Sequence, residues 1–323
     1  MSKVNSPAMS VILATPDRYD TIRKTIACLR AQTARDRLEL VIVAPCASKL
    51  ELNQSEMEEF FKFRLAEVGH IKSIGAANAA GVRHASAPVV ALAEDHAFPN
   101  PAWAEALIHA HQEDWAAVGP VVRNANPGST ISYADFLIAY GVWQEGVSGG
   151  IVDHLPGHNS SYKRSVLLDY GPDLETMLEA ESVLHWDLNR KGYRLYLEPR
   201  AKISHLNFGV ISAWLPAQYH SGRMFAATRS REWSKAKRLL YTCSAPLIPA
   251  LRFWRILRQS YQYSRKLPLR VCPALVLGLM VSALGEMIGY ASGAGRSRKS
   301  LTRLEFHRVR HIGRRRRFRK TTE

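Results

Sequence analysis

Two short stretches of the chain carry side chains that can do chemistry. Glu94-Asp95-His96 follows directly on the apolar run Val89–Ala93. Two acids and an imidazole in a row are unfavourable inside a core, but at the end of a buried strand they face a shared cleft. Carboxylate oxygens with one imidazole suit Mn2+ or Mg2+ bridging a diphosphate. An acidic turn capping the next helix accounts for the tripeptide equally well. The second stretch centres on Glu181. If residues 175–191 form one helix, at about 100° per residue Met177, Leu184 and Leu188 share a face and Glu181 lies in its middle. Glu175, Glu179, Asp187 and Arg190 fall elsewhere on that helix, as solvated residues should. A carboxylate in an apolar stripe is costly unless it is paired or lines a cavity. Desolvation there suits it to general-base work. The alternative is a buried glutamate bonded to a backbone amide or an arginine.

These side chains need a frame, and the first half of the chain reads as alternating strands and helices. Residues 9–15, 39–44, 88–93 and 116–122 are short apolar runs. Helical patterns occupy 19–32, 50–66, 75–85 and 101–111, with Glu56, Glu58 and Glu59 on the polar side of the second. Alternation of this kind, with near-continuous apolar strands, predicts a mostly parallel α/β sheet. Ligands of such sheets sit at the carboxyl ends of the strands, here residues 15–17, 44–46 and 94–96. The apolar start is too short for a signal peptide and runs into TPDRYD. Cys28, Cys46, Cys243 and Cys272 have no CxxC spacing, which excludes a zinc knuckle or disulfide framework.

Four segments in order carry a family resemblance. SVILATPDRYDTIRKTIACLRAQ ends at Gln32; VVALAEDHAFPNPAW holds the acidic motif followed by Pro99, Pro101 and Trp103; GHNSSYKRSVLLDYG begins at Gly157; and EAESVLHWDLNRKGYRLYLEPRAKISH runs from Glu179 to His205. Residues 9–206 resemble a family 2 glycosyltransferase of the GT-A fold, a Rossmann-like sheet flanked by helices. The resemblance implies that Glu94 and Asp95, with Thr15 and Pro16 at the first strand end, contact the nucleotide. It places His96 and His205 on a Mn2+ or Mg2+ ion. Gly157, His158 and Asn159 fall in the segment that lines the sugar and acceptor site. Counting back from Gly192-Tyr193-Arg194 puts Glu181 at the position of the family's catalytic base, where the helical wheel also pointed, with Ala180 replacing the acid before it. His205 is alternatively a core or hairpin histidine. Two departures stand out. The second strand ends Ala44-Pro45-Cys46 rather than in a base-reading acid, and the Gln-x-x-Arg-Trp signature of processive synthases is absent.

Charge divides the chain. Residues 1–222 carry 20 Lys and Arg against 24 Asp and Glu, net −4, whereas 223–323 carry 24 against 4, net +20, together the +16 of the whole. A catalytic domain over 1–222, a helical membrane-associated region over 223–295 and a basic tail over 296–323 follow. Residues 239–257 are apolar but broken by Pro246 and Pro249 and decorated by Arg252 and Arg255. Residues 271–285 carry no charge, yet span only about 22 Å of a hydrocarbon core of about 30 Å. Extension to residue 292 reaches spanning length but includes Glu286. An interfacial or re-entrant arrangement, or a single span, at the cytoplasmic membrane face fits this pattern, with the flanking basic residues, Arg265 and Lys266 among them, on anionic lipid. A helical subdomain packed on the catalytic domain is the non-membrane alternative. The tail, with arginines 314–317, fits lipid headgroups first and an RNA less well, because no aromatic RNP-like stretch accompanies it. The function expected is inverting transfer from a nucleotide-sugar donor to a glycan or lipid-linked acceptor. The alternative is an inactive GT-A-like protein that binds a nucleotide or an assembly partner.

Overall fold

A computed structural model describes residues 6–263 and 267–313, so Arg265, Lys266 and arginines 314–317 lie outside the described residues. β1 (Met9–Ala14), β2 (Leu38–Ala44), β3 (Lys62–Glu67) and β4 (Val89–Ala93) are parallel, in the order β3-β2-β1-β4. β1 and β2 are buried along their whole length. A parallel sheet covered on both faces demands such unbroken apolar runs. Among the helices of this half are α1 (Tyr19–Arg30) and α3 (Ile74–His84), the latter capped by Ser73, whose hydroxyl accepts from the Ala76 amide.

The helix expected over residues 50–66 does not form. The segment holds a single turn, α2 (Ala47–Leu50), a 3-10 turn at Gln54–Glu56, and then β3, which pairs with β2. Glu56 is taken up by Tyr19 and Arg23, and Glu59 by Arg30 and Arg35. Pairing along a buried strand outweighs a local helical pattern that had no core face of its own.

Beyond β4 the sheet turns mixed. β8 (Ser161–Lys163) runs antiparallel between β4 and β6 (Ala117–Asn124), and β9 (Leu195–His205) runs parallel to β6. Two short strands, β5 (Ala97–Pro99) and β7 (Gly150–Val152), pair antiparallel with β9. Around this half lie α4 (Trp103–Ala110), α5 (Thr130–Tyr140), α6 (Arg164–Leu168), α7 (Leu174–Met177) and α8 (Glu181–Arg190).

The helix expected over residues 175–191 is therefore two helices with a break at residues 178–180. Ala180 leaves the helical conformation (φ −149°, ψ 83°) and Glu181 opens α8. At the break α7 docks on α3, where Gly75 lies so close to the backbone of Glu175 and Glu179 that a Cβ would not fit. Leu184 and Leu188 are buried, as the apolar stripe predicts, but Met177 is only half-buried, and Asp187, expected among the solvated residues, is buried. Glu181, however, sits at a helix start facing a loop, not in the middle of that stripe.

The C-terminal part is helical. α9 (Ile211–Arg229) runs through residue 222, where the domain division was expected, and α12 (Cys272–Ser292) packs along it. The seam is made of glycines. A Cβ on Gly222 would collide with the Ser282 carbonyl, one on Gly285 with the Tyr219 carbonyl, and one on Gly289 would lie 2.5 Å from the Arg223 carbonyl. α10 (Lys235–Ser244) and α11 (Ile248–Gln262) are separated by a 3-10 turn, Ala245–Leu247, in the Pro246–Pro249 segment where the prolines predict an interruption. α13 (Ser297–Phe306) and the turn Arg308–His311 then return to the sheet, where the Gly209 amide donates to the His311 carbonyl at 2.8 Å. Residues 297–313 are thus folded against the sheet-bearing half rather than forming a free basic tail. Within the described residues, Leu269–Ser292 is the one helical stretch long and apolar enough to cross a membrane by length and composition.

Candidate active site

The site assembles at the end of β4. The hydroxyl of Thr25 on α1 donates to the Glu94 carbonyl at 3.0 Å and tethers the turn. Gln32 ties α1 to the segment beyond: its amide donates to the Asn100 carbonyl at 2.8 Å and its oxygen accepts from the Ala104 amide. β5 then pairs with the end of β9 so that Ala97 lies opposite His205, and the Leu206 amide donates to the His96 carbonyl. This register carries His205, more than a hundred residues downstream, to the acidic motif.

Glu94, His96 and His205 each offer a ligand atom, and those atoms lie within 4.8 Å of one another. Glu94 Oε2 is 3.4 Å from His96 Nε2 and 3.3 Å from His205 Nε2. Asp95 is turned onto His96, with 2.6 Å between its carboxylate and Nδ1. His205 Nδ1 is held 3.1 Å from the Asn207 side-chain oxygen, and Asn207 is fixed in turn by Asn124 and Asn126. Both imidazoles therefore keep Nε2 toward Glu94, the arrangement second partners impose on metal-binding histidines. His96 Nε2 is buried without a hydrogen-bond partner, whereas Tyr140 reaches His205 Nε2 at 3.1 Å. One carboxylate and two imidazoles, one with its Nε2 buried and unpartnered, fit a divalent transition-metal ion such as Mn2+.

The three ligands differ in their electrostatics. Burial works against the His96 imidazolium, but Glu94 and Asp95 raise it, so a cation bound there would displace its proton. Burial works against the Glu94 carboxylate, but the nearby imidazoles hold it well below its ordinary range. Burial depresses His205 to about 4, leaving it neutral and able to bind a cation at neutral pH.

The second half of the site sits on a loop over β4. β8 pairs with β4, and the Leu92 amide donates to the Ser160 carbonyl, so residues 157–159 lie across the strand end. Asn159 is buried and donates to Glu94 Oε2 at 3.1 Å. His158 Nδ1 lies 2.7 Å from Glu181 Oε1. Burial lowers the basicity of His158, but Glu181 outweighs it and brings the imidazole up to about 10. A Cβ on Gly157 would lie 2.9 Å from Glu181 Oε2, so a side chain there would push the carboxylate aside. Glu94, His96, His205, His158, Asn159 and Glu181 are thus brought together.

Thr15 and Pro16 lie at the neighbouring end of β1. The Thr15 hydroxyl is 3.0 Å from that of Thr21 and accepts from the Asp17 amide. Pro16 borders a cleft of about 570 Å³, with Asp17, Lys49 and Arg310. Asp95 contributes to His96 rather than to that cleft. Three participants escaped sequence reading. Tyr140 and Asn207 touch His205, and Arg308, reaching back from the C-terminal segment, pairs with Asp135 at 3.2 Å. An aspartate within the apolar YADFLIAY stretch was the only signal for the last pair.

The family model described as Glycosyl transferase family 2 matches residues 10–171. The chain belongs to glycosyl transferase family 2. No curated protein matches it in sequence. In fold it is similar to the mannosyltransferase PcManGT from Pyrobaculum calidifontis in complex with GDP-Man and Mn2+. The TM-score is 0.52 at 15% identity, over 90% of this chain and 88% of that one. It also matches S. aureus TarS 1–349 with a TM-score of 0.45 at 13% identity, over 94% and 91% of the two chains. For GalNAc-T7 with UDP, GalNAc and Mn2+ the TM-score is 0.45 at 13% identity, over 63% and 44%. The GT-A architecture is thus that of the family 2 glycosyltransferases.

Proposed function

We propose that the protein transfers a glycosyl group from a nucleoside-diphosphate sugar to a hydroxyl of a glycan or lipid-linked acceptor, with inversion at the anomeric carbon. The observation that carries this reading is the placement of Glu181 across the 157–159 loop from Glu94, His96 and His205. A divalent cation, Mn2+ or Mg2+, held by those three residues would neutralise charge on the diphosphate leaving group. A similar fold solved with GDP-Man and Mn2+ supports a nucleotide-sugar donor and a divalent ion.

Glu181 accepts the proton of the acceptor hydroxyl as its oxygen bonds to the anomeric carbon. The bond from that carbon to the diphosphate oxygen breaks, and its electron pair leaves with the nucleoside diphosphate. One displacement suffices, and no carboxylate forms a covalent intermediate. His158, cationic at neutral pH, orients the Glu181 carboxylate until the hydroxyl arrives. Asn159 orients Glu94, and the cleft bordered by Pro16, next to the buried Thr15, takes the nucleoside end.

Exposed apolar side chains support a position at the cytoplasmic membrane face. Leu239, Leu240, Trp254 and Leu257 on α10 and α11, and Val276, Met280 and Leu284 on α12, are open to solvent beside basic residues. The opposite face of α12 is occupied by α9, which favours lying in the interface over a plain span.

A second reading is nucleotide binding without transfer. It draws on the 2.7 Å contact that engages the Glu181 carboxylate with His158. Thermal shifts with UDP-, GDP-, TDP- and CMP-sugars in Mn2+ identify the donor, and turnover of that donor separates the two readings. Glu181→Gln is expected to fold normally and lose nearly all turnover. Near-normal turnover in that variant refutes the base assignment, and donor binding without turnover by the unaltered protein favours the second reading.

A further inference from the structure

A cavity of about 1220 Å³ opens between the catalytic half and the C-terminal helices, and Glu181 and Ser182 stand in its wall. Its composition changes along its length. The end formed by α9, α11 and α12 carries Arg229, Arg252 and Arg255 against one carboxylate, Glu286. Arg252 is committed, donating to Ser282 at 3.1 Å and lying 3.5 Å from Glu286. Among the described residues, no carboxylate comes within ion-pairing distance of Arg229 or Arg255. Arg229 instead lies over the Trp186 ring at 4.8 Å and the Tyr241 ring at 5.0 Å, and donates to the Tyr290 hydroxyl at 3.2 Å. A cation caged by aromatic faces keeps its charge for an anion that enters the cavity.

α8 acts as a ruler between the two ends. Trp186, under Arg229, lies five residues after Glu181, about 7.5 Å along the helix axis. That distance suits a short saccharide between an anion at Arg229 and a hydroxyl at Glu181. Next to the arginines, on α11 and the turn before it, the lining includes Leu247 and Leu251, which are 65% and 55% exposed and continue into the apolar outer face of α10 and α11.

From this sequence of groups we infer that the cavity is the acceptor site and that the acceptor is an anionic glycolipid. A short saccharide would be joined through phosphate to a single apolar chain. Its hydroxyl meets Glu181, its phosphate meets Arg229 and Arg255, and its chain leaves past Leu247 and Leu251. The inference rests on the transfer reading above and narrows its acceptor class.

The test is a binding titration that does not depend on turnover. The full chain is held in dodecyl maltoside micelles, which offer an apolar chain under a neutral head. Dodecyl phosphate and inorganic phosphate are titrated separately by calorimetry. The expected result is saturable binding of one dodecyl phosphate per chain, weakened about tenfold or more by Arg229→Gln combined with Arg255→Gln. Leu240→Gln, on the outer face, should bind as the unaltered protein does. Because Arg229 is partly packed, Arg255→Glu alone, at an exposed position, is the second variant and should also weaken binding. Inorganic phosphate binding as tightly as dodecyl phosphate would reduce the cavity to a simple anion site and overturn the lipid assignment. Non-saturable uptake, or loss in Leu240→Gln equal to that in the arginine variants, would show adsorption to the outer face and also overturn it. Failure of the transfer reading is seen separately, as absence of Mn2+-dependent nucleotide-sugar turnover.

Discussion

At the scale of single residues the site depends on the contact between Gly157, His158 and Glu181. A Cβ at position 157 would meet only the far end of the Glu181 side chain, which can swing aside. Gly157→Ala should therefore leave the unfolding midpoint almost unchanged while lowering turnover about ten- to a hundred-fold, because it displaces Glu181, the proposed base. Activity and thermal unfolding measured on the same preparation check both halves of this expectation. His158 makes a second prediction. Its imidazolium is favoured in the folded chain, from an ordinary 6.5 to about 10. The stabilisation is present in full below pH of about 6.5 and is lost as pH rises through about 10. Thermal unfolding should decline more steeply between pH of about 7 and 10 in the unaltered protein than in His158→Gln, and parallel pH profiles would count against the charged pair.

Among elements, the α9–α12 seam differs from the Gly157 contact in one respect: its glycines face backbone. Gly285 abuts the Tyr219 carbonyl and Gly222 the Ser282 carbonyl, neither of which can rotate away. Gly285→Ala should force the helices apart and cost about 3 kcal/mol, read as a lowered midpoint in chemical denaturation. The two-part helix around Glu181 follows the same logic. Its apolar residues are legible at helical spacing, but the break after Leu178 lies where α7 closely approaches Gly75 on α3. No local pattern encodes that approach.

On the scale of the whole molecule, the C-terminal segment closes back on the catalytic half through Arg308. Asp135 on α5 is buried and accepts from the Phe208 amide, Trp214 and Gln218 as well as pairing with Arg308. Arg308→Met removes its counter-charge and should destabilise the fold by about 3–5 kcal/mol. Limited proteolysis should then cut first within residues 294–313. The exposed apolar face leads to another expectation. Leu240→Glu with Trp254→Glu should reduce flotation with anionic vesicles while leaving secondary structure by circular dichroism intact. Unchanged flotation would place the membrane contact elsewhere.

Several features could be read directly from residue order. The parallel strands β1, β2 and β4 were legible because burial on both faces requires unbroken apolar runs, and the interruption between α10 and α11 because proline removes a helical hydrogen bond. The acidic motif was legible from its residue types and the 157–159 loop from the family resemblance. Glu181 was legible from its spacing to Gly192-Tyr193-Arg194, whereas the single helix that put it on an apolar face is broken at residues 178–180. Tertiary structure decided what those segments meet. β3 replaced an expected helix because a strand edge was available to pair with, and His205 joins Glu94 because β5 and β9 pair in one register. Arg308 and the arginine end of the large cavity were out of reach for the same reason. They depend on contacts between segments far apart in the chain, and the period of a local sequence pattern carries no information about those.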